Sequence, residues 1–259
     1  MKKTLIALAV AASAAVSGSA MAWTANGTGG SVDMGGTLNP VDKVTPWEVK
    51  TGAAVTGLDA YIKKGLSSVD ISVTNAIPVL GIRTQTANTF NGQSGITPQI
   101  SYNNAVDIDG FTAGVTTVTL EVKDAQNMKI GSLTAPFSAA GLMSWQGVGI
   151  ASANVEVYAS SQGRAFFGGV AKNAVGASSS RGEAMINSFD QEFLANFVKL
   201  GSSWRNGEGT FDVTSSIYSG VYGSGIEAGK NITITLDSPA QGNDSIVWKA
   251  SLPVTVSYE

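Results

Sequence analysis

The residue types that carry much of protein chemistry are missing from this chain. It has 259 residues, and none of them is histidine or cysteine. A Ser-His-Asp triad, a Cys-His pair and a His-ligated zinc site are therefore excluded. Without cysteine the chain also gains nothing from an oxidising compartment. Its fold must be held together by an apolar core and by strand pairing alone.

The remaining candidates for catalysis are the 19 carboxylates. Asp107 and Asp109, followed by Gly110, resemble the start of a calcium loop. Such a loop ends on a glutamate, but Val118 stands at its twelfth position, so the sequence predicts a turn here. No pair of carboxylates stands out, and we predict no enzyme activity, cofactor or metal site. A secreted glycosidase that uses two carboxylates is the enzymatic alternative.

The first 22 residues have the pattern of a secretory signal peptide. Lys2 and Lys3 precede an apolar run over residues 5–16, and Ala20 and Ala22 are the small residues before a cut at Trp23. No later run reaches the roughly 18 apolar residues of a membrane-spanning helix. Cleavage removes two lysines and takes the formal net charge from −3 to −5. Because the mature chain has no basic field, we expect no nucleic-acid partner.

Most of the mature chain shows the period-two alternation of half-buried strands. Residues 66–74 and 114–123 are the clearest examples, because apolar and polar residues alternate over most of each run. Further short segments of this kind, separated by glycine-rich turns, are predicted at residues 77–82, 100–102, 130–137, 155–158, 165–170, 211–213, 217–221, 231–236 and 245–258. The pattern predicts an all-β sandwich.

One segment has a helical period instead. Over residues 181–200 the apolar residues recur three and four positions apart. Ser180 and Glu183 have the spacing of a capping box, and Gly201 suits the helix end. We therefore predict a helix-containing subdomain, inserted between strands at about residues 136–209.

The stretch at residues 31–38 has the pattern of a strand outside the body of the domain. It follows a glycine-rich leader that cannot order itself, and residues 39 and 40 (Asn-Pro) end it as a turn. Val32, Met34 and Leu38 share one face with Gly36, and polar or small residues take the other face. Such a strand either pairs within its own domain or is offered to another copy of the chain.

At this point the sequence resembles the K88 (F4), CS31A and F41 fimbrial major subunits (adhesins) of the chaperone–usher pathway. The resemblance covers essentially the whole chain. It rests on the leader at residues 23–38, on Trp47 and the three residues after it, on residues 166–169, and on the closing alternation at residues 252–258. The leader and its place at the mature amino terminus are the most specific part.

The resemblance implies an incomplete immunoglobulin-like β-sandwich that is completed by a donor strand from a neighbouring subunit. Residues 23–40 would be the extension and residues 41–259 the pilin domain. In the family a periplasmic chaperone lends a strand, and an outer-membrane usher exchanges it for the extension of the next subunit. The donor positions would be Val32, Met34, Gly36 and Leu38. The strand recognised by the chaperone would comprise Leu252, Val254, Val256, Tyr258 and the terminal Glu259.

The resemblance also implies adhesion, because the K88 major subunit carries a carbohydrate site in its inserted subdomain. Aromatic rings and planar donors that suit sugars lie in or beside the corresponding region here. The candidates are Trp145, Arg164, Phe166, Arg181, Glu183, Trp204, Arg205 and Asn206. The expected partners are copies of the chain itself, chaperone, usher and host glycoproteins or glycolipids, on a fimbria secreted through the periplasm. The alternative is a secreted monomeric carbohydrate-binding protein with a self-paired amino-terminal strand.

Overall fold

The computed structural model describes residues 25, 26, 28, 32, 34–39, 44–149, 152–178 and 180–259. The predicted signal peptide lies outside the described residues. The chain divides into two units, Met1–Lys43 and Val44–Glu259. All strands and helices of the described residues belong to the second unit.

The regular secondary structure of this unit consists mostly of β-strands, as the sequence predicts. The strands are β1 (Trp47–Thr51), β2 (Ser68–Ser72), β3 (Ile77–Thr84), β4 (Phe90–Asn91), β5 (Pro98–Ser101), β6 (Val115–Lys123), β7 (Lys129–Gly147), β8 (Ala153–Val157), β9 (Trp204–Gly207), β10 (Ser216–Ile226), β11 (Asn231–Leu236) and β12 (Thr255–Tyr258). One α-helix, α1 (Gly182–Phe189), and one 3-10 helix (Gln191–Leu194) lie between β8 and β9. The predicted all-β fold with a small helical element is thus confirmed.

The main sheet is organised around β7. Its strand order is β1-β3-β10-β7-β11-β2, and β6 and β8 pair with β7 along its other edge. All pairs in this sheet are antiparallel except β8 with β9, which run parallel. A second, smaller sheet consists of β5 and β12.

The centre of β7 is buried on both faces. Phe137, Ala139 and Met143 belong to the main core, whereas Ala140 and Leu142 face a second apolar cluster under α1. The helix contributes Met185, Ile186 and Phe189 to that cluster. It lies close to β10 because Gly223 and Gly225 have no side chain: a Cβ at Gly225 would lie 2.8 Å from the Phe189 ring. Two covered faces explain why residues 137–144 lack the burial alternation of an ordinary half-exposed strand.

The helix is shorter than the predicted span of residues 181–200. It ends at Phe189 because Asp190 is extended, and the Asp190 carboxylate instead accepts a hydrogen bond from the Glu192 amide at the start of the 3-10 helix. The capping box predicted from Ser180 and Glu183 does not form. Arg181 occupies the N-cap position without a side-chain cap.

Two predicted strands are absent from the described residues, namely residues 165–170 and 211–213. Phe166 has a positive φ of 60° and Gly168 one of 80°, so the chain turns there. Buried apolar side chains of both segments, among them Phe166, Val170 and Phe211, belong to loops, whereas Val213 is 47 % exposed. Phe166 and Phe211 pack edge-on against each other and against Trp47. Apolar side chains in these short runs reflect burial and not strand pairing.

Candidate functional site

Among the described residues, the last strand of the chain pairs with another strand on one edge only. β12 runs antiparallel to β5, with Val256 opposite Ile100 and Tyr258 opposite Pro98. The pairing extends past the strand, because Thr97 and Glu259 exchange two backbone hydrogen bonds of 2.8 and 3.0 Å. Lys249 makes an equivalent double contact with Lys123 at the start of the segment, at 2.9 Å for both bonds.

These contacts fix the edge toward which the backbone amide and carbonyl groups of each residue in the segment point. In an antiparallel pair, backbone groups alternate between the two edges of a strand. Since the backbone of Glu259 faces β5, the amide and carbonyl groups of Val254 and Val256 face the opposite edge. No strand among the described residues pairs with them there. We call this edge, over residues 250–258, the open edge.

The side chains of the open edge form an apolar row. Ala250, Leu252, Val254, Val256 and Tyr258 pack against the main core, yet each is only half-buried, and the residues between them are exposed. Thus the four apolar positions predicted from sequence do share one face. An inward-facing row that remains half-exposed beside the outward-facing backbone groups of Val254 and Val256 is the structure of a groove that another strand can enter.

β5 is held against β12 by a loop on its far side. The Ile100 amide donates to the Phe167 carbonyl at 2.8 Å, and the Phe166 amide donates to the Pro98 carbonyl at 2.9 Å. The Gln99 side chain adds two bonds, accepting from the Gly163 amide and donating to the Arg164 carbonyl, both at 2.9 Å. The Gln162 side chain also donates to the side-chain carboxylate of Glu259. Both ends of the open edge are therefore fixed to the rest of the fold.

The predicted donor residues are exposed in the amino-terminal unit. Val32 is 83 % exposed, Met34 92 % and Leu38 96 %, and no strand is formed by the described residues between 32 and 39. A Cβ placed on Gly36 would meet nothing within 4 Å. Asp33 lies outside the described residues, so the polar face of the stretch is described only in part.

The structure separates the residues predicted to bind carbohydrate. Phe166 is fully buried and packs in the aromatic core, so its ring has no exposed face to offer a sugar. Trp145 is half-buried against the same core. Arg164 is exposed beside β5, Arg181 pairs with Glu227 at 3.4 Å, and Glu183 pairs with Lys199 at 2.6 Å.

Three of the candidates, Trp204, Arg205 and Asn206, do line a common cavity. This cavity, which we call the helix-side pocket, has a volume of about 350 Å³ and is completed by Ser180 and Glu156. The Trp204 ring stacks on Phe197 at 6.1 Å, with an angle of 22° between the rings. Arg205 is exposed and forms no ion pair with any described residue. The pocket thus offers an aromatic ring, a guanidinium group and an amide.

Glu156 is the residue in this pocket that sequence reasoning missed. It is only 3 % exposed, and its carboxylate accepts hydrogen bonds from the Ser178 hydroxyl (2.5 Å) and from the amides of Ser180 (2.9 Å) and Gly182 (3.1 Å). A strand residue therefore supplies the cap that the helix lacks locally. A glutamate between two valines, Val155 and Val157, was the available signal.

The predicted turn at Asp107 is confirmed. The Gly110 amide donates to the Asp107 side chain at 3.0 Å, and Lys172 pairs with Asp109 at 2.6 Å. Within the described part of the chain, no group of three or more acidic, histidine or cysteine residues is placed to hold a metal ion. The described helices are also too short to cross a bilayer.

Comparison with known proteins gives the family. The family model described as "Fimbrial, major and minor subunit" matches residues 1–259. The chain is 32 % identical to the K88 fimbrial protein AC of Escherichia coli over 289 aligned residues, and 31 % identical to the K88 fimbrial protein AB over 290. It is 28 % identical to the F41 fimbrial protein of the same organism over 285. Each alignment covers 100 % of both chains. These relatives are fimbrial proteins and not enzymes, and the chain belongs to the family of fimbrial major and minor subunits, as a structural component of a cell-surface fimbria.

Proposed function

We propose that this subunit polymerises by donor-strand exchange, in which the extension of one copy fills the open edge of the next. The observation that carries the proposal is the open edge itself, an apolar row beside the backbone groups of Val254 and Val256, which no described strand pairs. A strand with Val32, Met34, Gly36 and Leu38 on one face would pair with those groups and cover the row. Because each copy both gives and receives a strand, the contact is head-to-tail and builds a filament.

The energies are of the right size for such an exchange. Burying the side chains of Val32, Met34 and Leu38 would contribute about 5–9 kcal/mol together, at about 1.5–3 kcal/mol each. A whole domain is typically stable by about 5–15 kcal/mol. A subunit with an unfilled edge would accordingly be weakly stable and prone to aggregate. This instability is the physical reason to infer a periplasmic chaperone that covers the edge and binds the terminal carboxylate of Glu259. At an outer-membrane usher the extension of the next subunit would then replace the chaperone.

The experiment compares two substitutions on opposite faces of the extension. Gly36→Arg puts a long charged side chain on the inward face, whereas Thr37→Arg puts the same side chain on the outward face. Full-length chains with each substitution are produced in the periplasm, and the oligomer ladder is analysed on denaturing gels without boiling. We expect Gly36→Arg to abolish the ladder and Thr37→Arg to preserve it.

A second measurement tests the strand directly. The melting temperature of the mature chain lacking residues 23–40 is recorded with and without a peptide of residues 23–40. A large and slowly reversible rise with the native peptide, absent with its Gly36→Arg version, is expected. A fragment that is already stable and does not respond to the peptide would overturn the proposal, and would favour a self-contained secreted binding protein.

The helix-side pocket supports a second role, adhesion to host glycoconjugates. A half-buried indole ring beside a guanidinium and an amide is the combination with which proteins commonly hold a sugar ring and its hydroxyl groups. Trp204, Arg205 and Asn206 supply these groups in a cavity of about 350 Å³. The pocket is formed by β9, by Glu156 of β8 and by Ser180 in the loop before α1, and it shares no lining residue with the open edge.

A further inference from the structure

A buried carboxamide, that of Gln99, lies behind the strand that supports the end of the open edge. Gln99 belongs to β5, stands opposite Ser257 of β12 and is only 6 % exposed. Its side-chain oxygen accepts from the Gly163 amide at 2.9 Å, and its side-chain nitrogen donates to the Arg164 carbonyl at 2.9 Å. One side chain therefore ties β5 to a loop 64 residues further along the chain.

The loop that Gln99 holds also contacts the last residue of the chain. The Gln162 side chain donates to the side-chain carboxylate of Glu259. Gly163 follows with a φ of 85°, and a Cβ placed on it would lie 3.8 Å from the same carboxylate. We call Gln99 together with residues 162–164 the end clamp. The clamp joins β5 to the residue directly after β12.

The end clamp acts on the part of the open edge that is already ordered by strand pairing. Backbone hydrogen bonds join residues 255–259 to β5 and end in a reciprocal pair, or rung, between Thr97 and Glu259. Residues 250–254 form no backbone–backbone hydrogen bond with any described residue, and the next rung joins Lys123 to Lys249. A short strand at a chain terminus frays unless other contacts hold it. The ordered part of the open edge therefore depends on β5 and on the clamp.

We propose that Gln99 is a positioning residue for polymerisation: by holding the end clamp against Glu259, it keeps β12 ordered before a donor strand arrives. This inference rests on donor-strand exchange. An acceptor strand that is already ordered loses little conformational freedom when the donor pairs with it, whereas ordering a frayed strand subtracts from the binding free energy. The clamp thus raises the affinity of the open edge for a donor that it does not itself touch.

Gln99→Glu breaks the clamp with little change of shape. One carboxylate oxygen can still accept from the Gly163 amide. The other oxygen replaces the donor nitrogen and faces the carbonyls of Arg164 and Pro98, to which that nitrogen donates at 2.9 and 3.0 Å. Because a carboxylate only accepts, these two contacts become repulsive.

Asn154→Asp is the matched control for this exchange of groups. Asn154 on β8 is also buried, and its side chain donates to the Gly201 carbonyl at 2.7 Å and accepts from the Gly201 amide at 3.0 Å. β8 pairs with neither β5 nor β12. Both substitutions replace a buried amide by a carboxylate, so both should lower the melting temperature, but only one lies in the clamp.

The measurement uses the full-length mature chain with Gly36→Arg, which keeps its open edge but carries an extension that should not donate. Gln99→Glu or Asn154→Asp is added to this parent chain. Exchange of the backbone amide hydrogens of residues 255–259 is followed first. A labelled peptide of residues 23–40 is then titrated, and its association rate and affinity are recorded together with the melting temperature of each chain.

We expect Gln99→Glu to speed amide exchange at residues 255–259 and to weaken peptide binding, each at least about tenfold, with slower association of the peptide. Asn154→Asp should change neither quantity. Equal peptide affinity and equal amide exchange in the two variants would overturn the inference while leaving donor-strand exchange intact. If the parent chain binds no peptide, donor-strand exchange itself fails, and the inference fails with it.

Two substitutions at Gln162 decide the question if Gln99→Glu does not fold, because Gln162 is exposed. Gln162→Glu places a second carboxylate beside that of Glu259, whereas Gln162→Lys places an ammonium group there. The Gln162→Glu chain should bind the peptide about threefold more weakly than the Gln162→Lys chain, and high salt should reduce this difference. Equal affinities of the two chains at low salt would contradict the role assigned to the end clamp.

Discussion

The carboxylate of Glu156 on β8 accepts a hydrogen bond from the backbone amide of Gly182, the first residue of α1, at 3.1 Å. The same carboxylate also accepts from Ser178 and Ser180. One buried side chain thus joins the sheet to the loop before the helix and to the helix itself. The positions of α1 and of Ser180, which lines the helix-side pocket, depend on this group.

Replacing Glu156 should therefore destabilise the protein more than its single charge suggests. Glu156→Ala leaves the buried Ser178 hydroxyl, the buried Gly182 amide and the part-buried Ser180 amide without their acceptor. Each buried unsatisfied group typically costs about 1–3 kcal/mol. We expect a loss of at least about 3 kcal/mol in the free energy of unfolding, measured by urea denaturation. Glu183→Ala is the control. Its surface ion pair with Lys199 is worth about 0–1 kcal/mol, so equal losses would contradict the cap assigned to Glu156.

The buried tyrosines predict a loss of stability at alkaline pH. Burial raises the pKa of Tyr102 and of Tyr222 above the ordinary tyrosine value, because the phenolate would lose its hydration. In the unfolded chain these groups release their protons around pH 10. Above that pH the unfolded state therefore binds fewer protons than the folded state, and the free energy of unfolding should fall as the pH rises.

Tyr102→Phe should make this alkaline fall shallower, as measured by urea denaturation between about pH 8 and pH 11. At neutral pH the variant loses the hydrogen bonds of Tyr102 to Tyr222 and Ser224, both 2.8 Å, at a cost of about 1–2 kcal/mol. Tyr61→Phe removes an exposed phenol and is the control. Identical pH profiles for Tyr102→Phe and the unmodified chain would refute this account.

The loop beside β5 depends on the absence of a side chain at Gly168. A Cβ there would lie 2.0 Å from the Ile100 carbonyl oxygen, and the residue has a φ of 80°. Gly168→Ala should destabilise the domain by more than about 3 kcal/mol and weaken binding of the donor peptide, because β5 supports β12. Calorimetry and peptide titration measure both effects.

Gly229→Ala separates the steric clash from the backbone strain as causes of the stability lost in Gly168→Ala. Gly229 has a similar φ of 78°, but a Cβ there would meet nothing within 4 Å. The control should thus cost only about 1 kcal/mol, from backbone strain, and leave peptide binding unchanged. If the two variants lost equal stability, the close approach to Ile100 would be of no consequence.

Adhesion through the helix-side pocket predicts a role for Arg205. Arg205→Ala should reduce binding of assembled fibres to host-cell glycoconjugates at least about tenfold, through loss of charge-assisted hydrogen bonds. Arg164→Ala removes another exposed arginine outside the pocket and should not change binding. Glycan arrays and cell adhesion assays give the comparison, and fibre yield shows whether assembly is intact. Undiminished binding by Arg205→Ala fibres would exclude the pocket as the adhesive site.

The parts of the fold that the sequence predicts well are those in which burial alternates. β2, β6 and β11 lie close to the predicted segments, because each has one covered face and one exposed face. The same holds for Leu252, Val254, Val256 and Tyr258, which share a face in the structure. Alternation is a local property, and it survives folding wherever only one side of a strand is covered.

The sequence predicts less well wherever distant residues decide the outcome. β7 continues to Gly147 through a stretch covered on both faces, where alternation disappears. Phe166 and Phe211 are buried in loops, which short apolar runs cannot reveal. The helix cap comes from Glu156, 26 residues before Gly182. Such a partner becomes visible only when the topology has brought β8 beside α1.

The one-sided pairing of β12 also has a mechanical consequence. The open edge runs lengthwise from the rung at Lys249 to the rung at Glu259, so an occupying strand would lie along the line through which neighbouring subunits pull on each other. Tension on a stretched fibre would load its ladder of hydrogen bonds in shear. All of them must then yield together, whereas a peeling force would break them one at a time. A filament joined in this way, without a single covalent crosslink, can resist flow while each of its joints remains exchangeable during assembly.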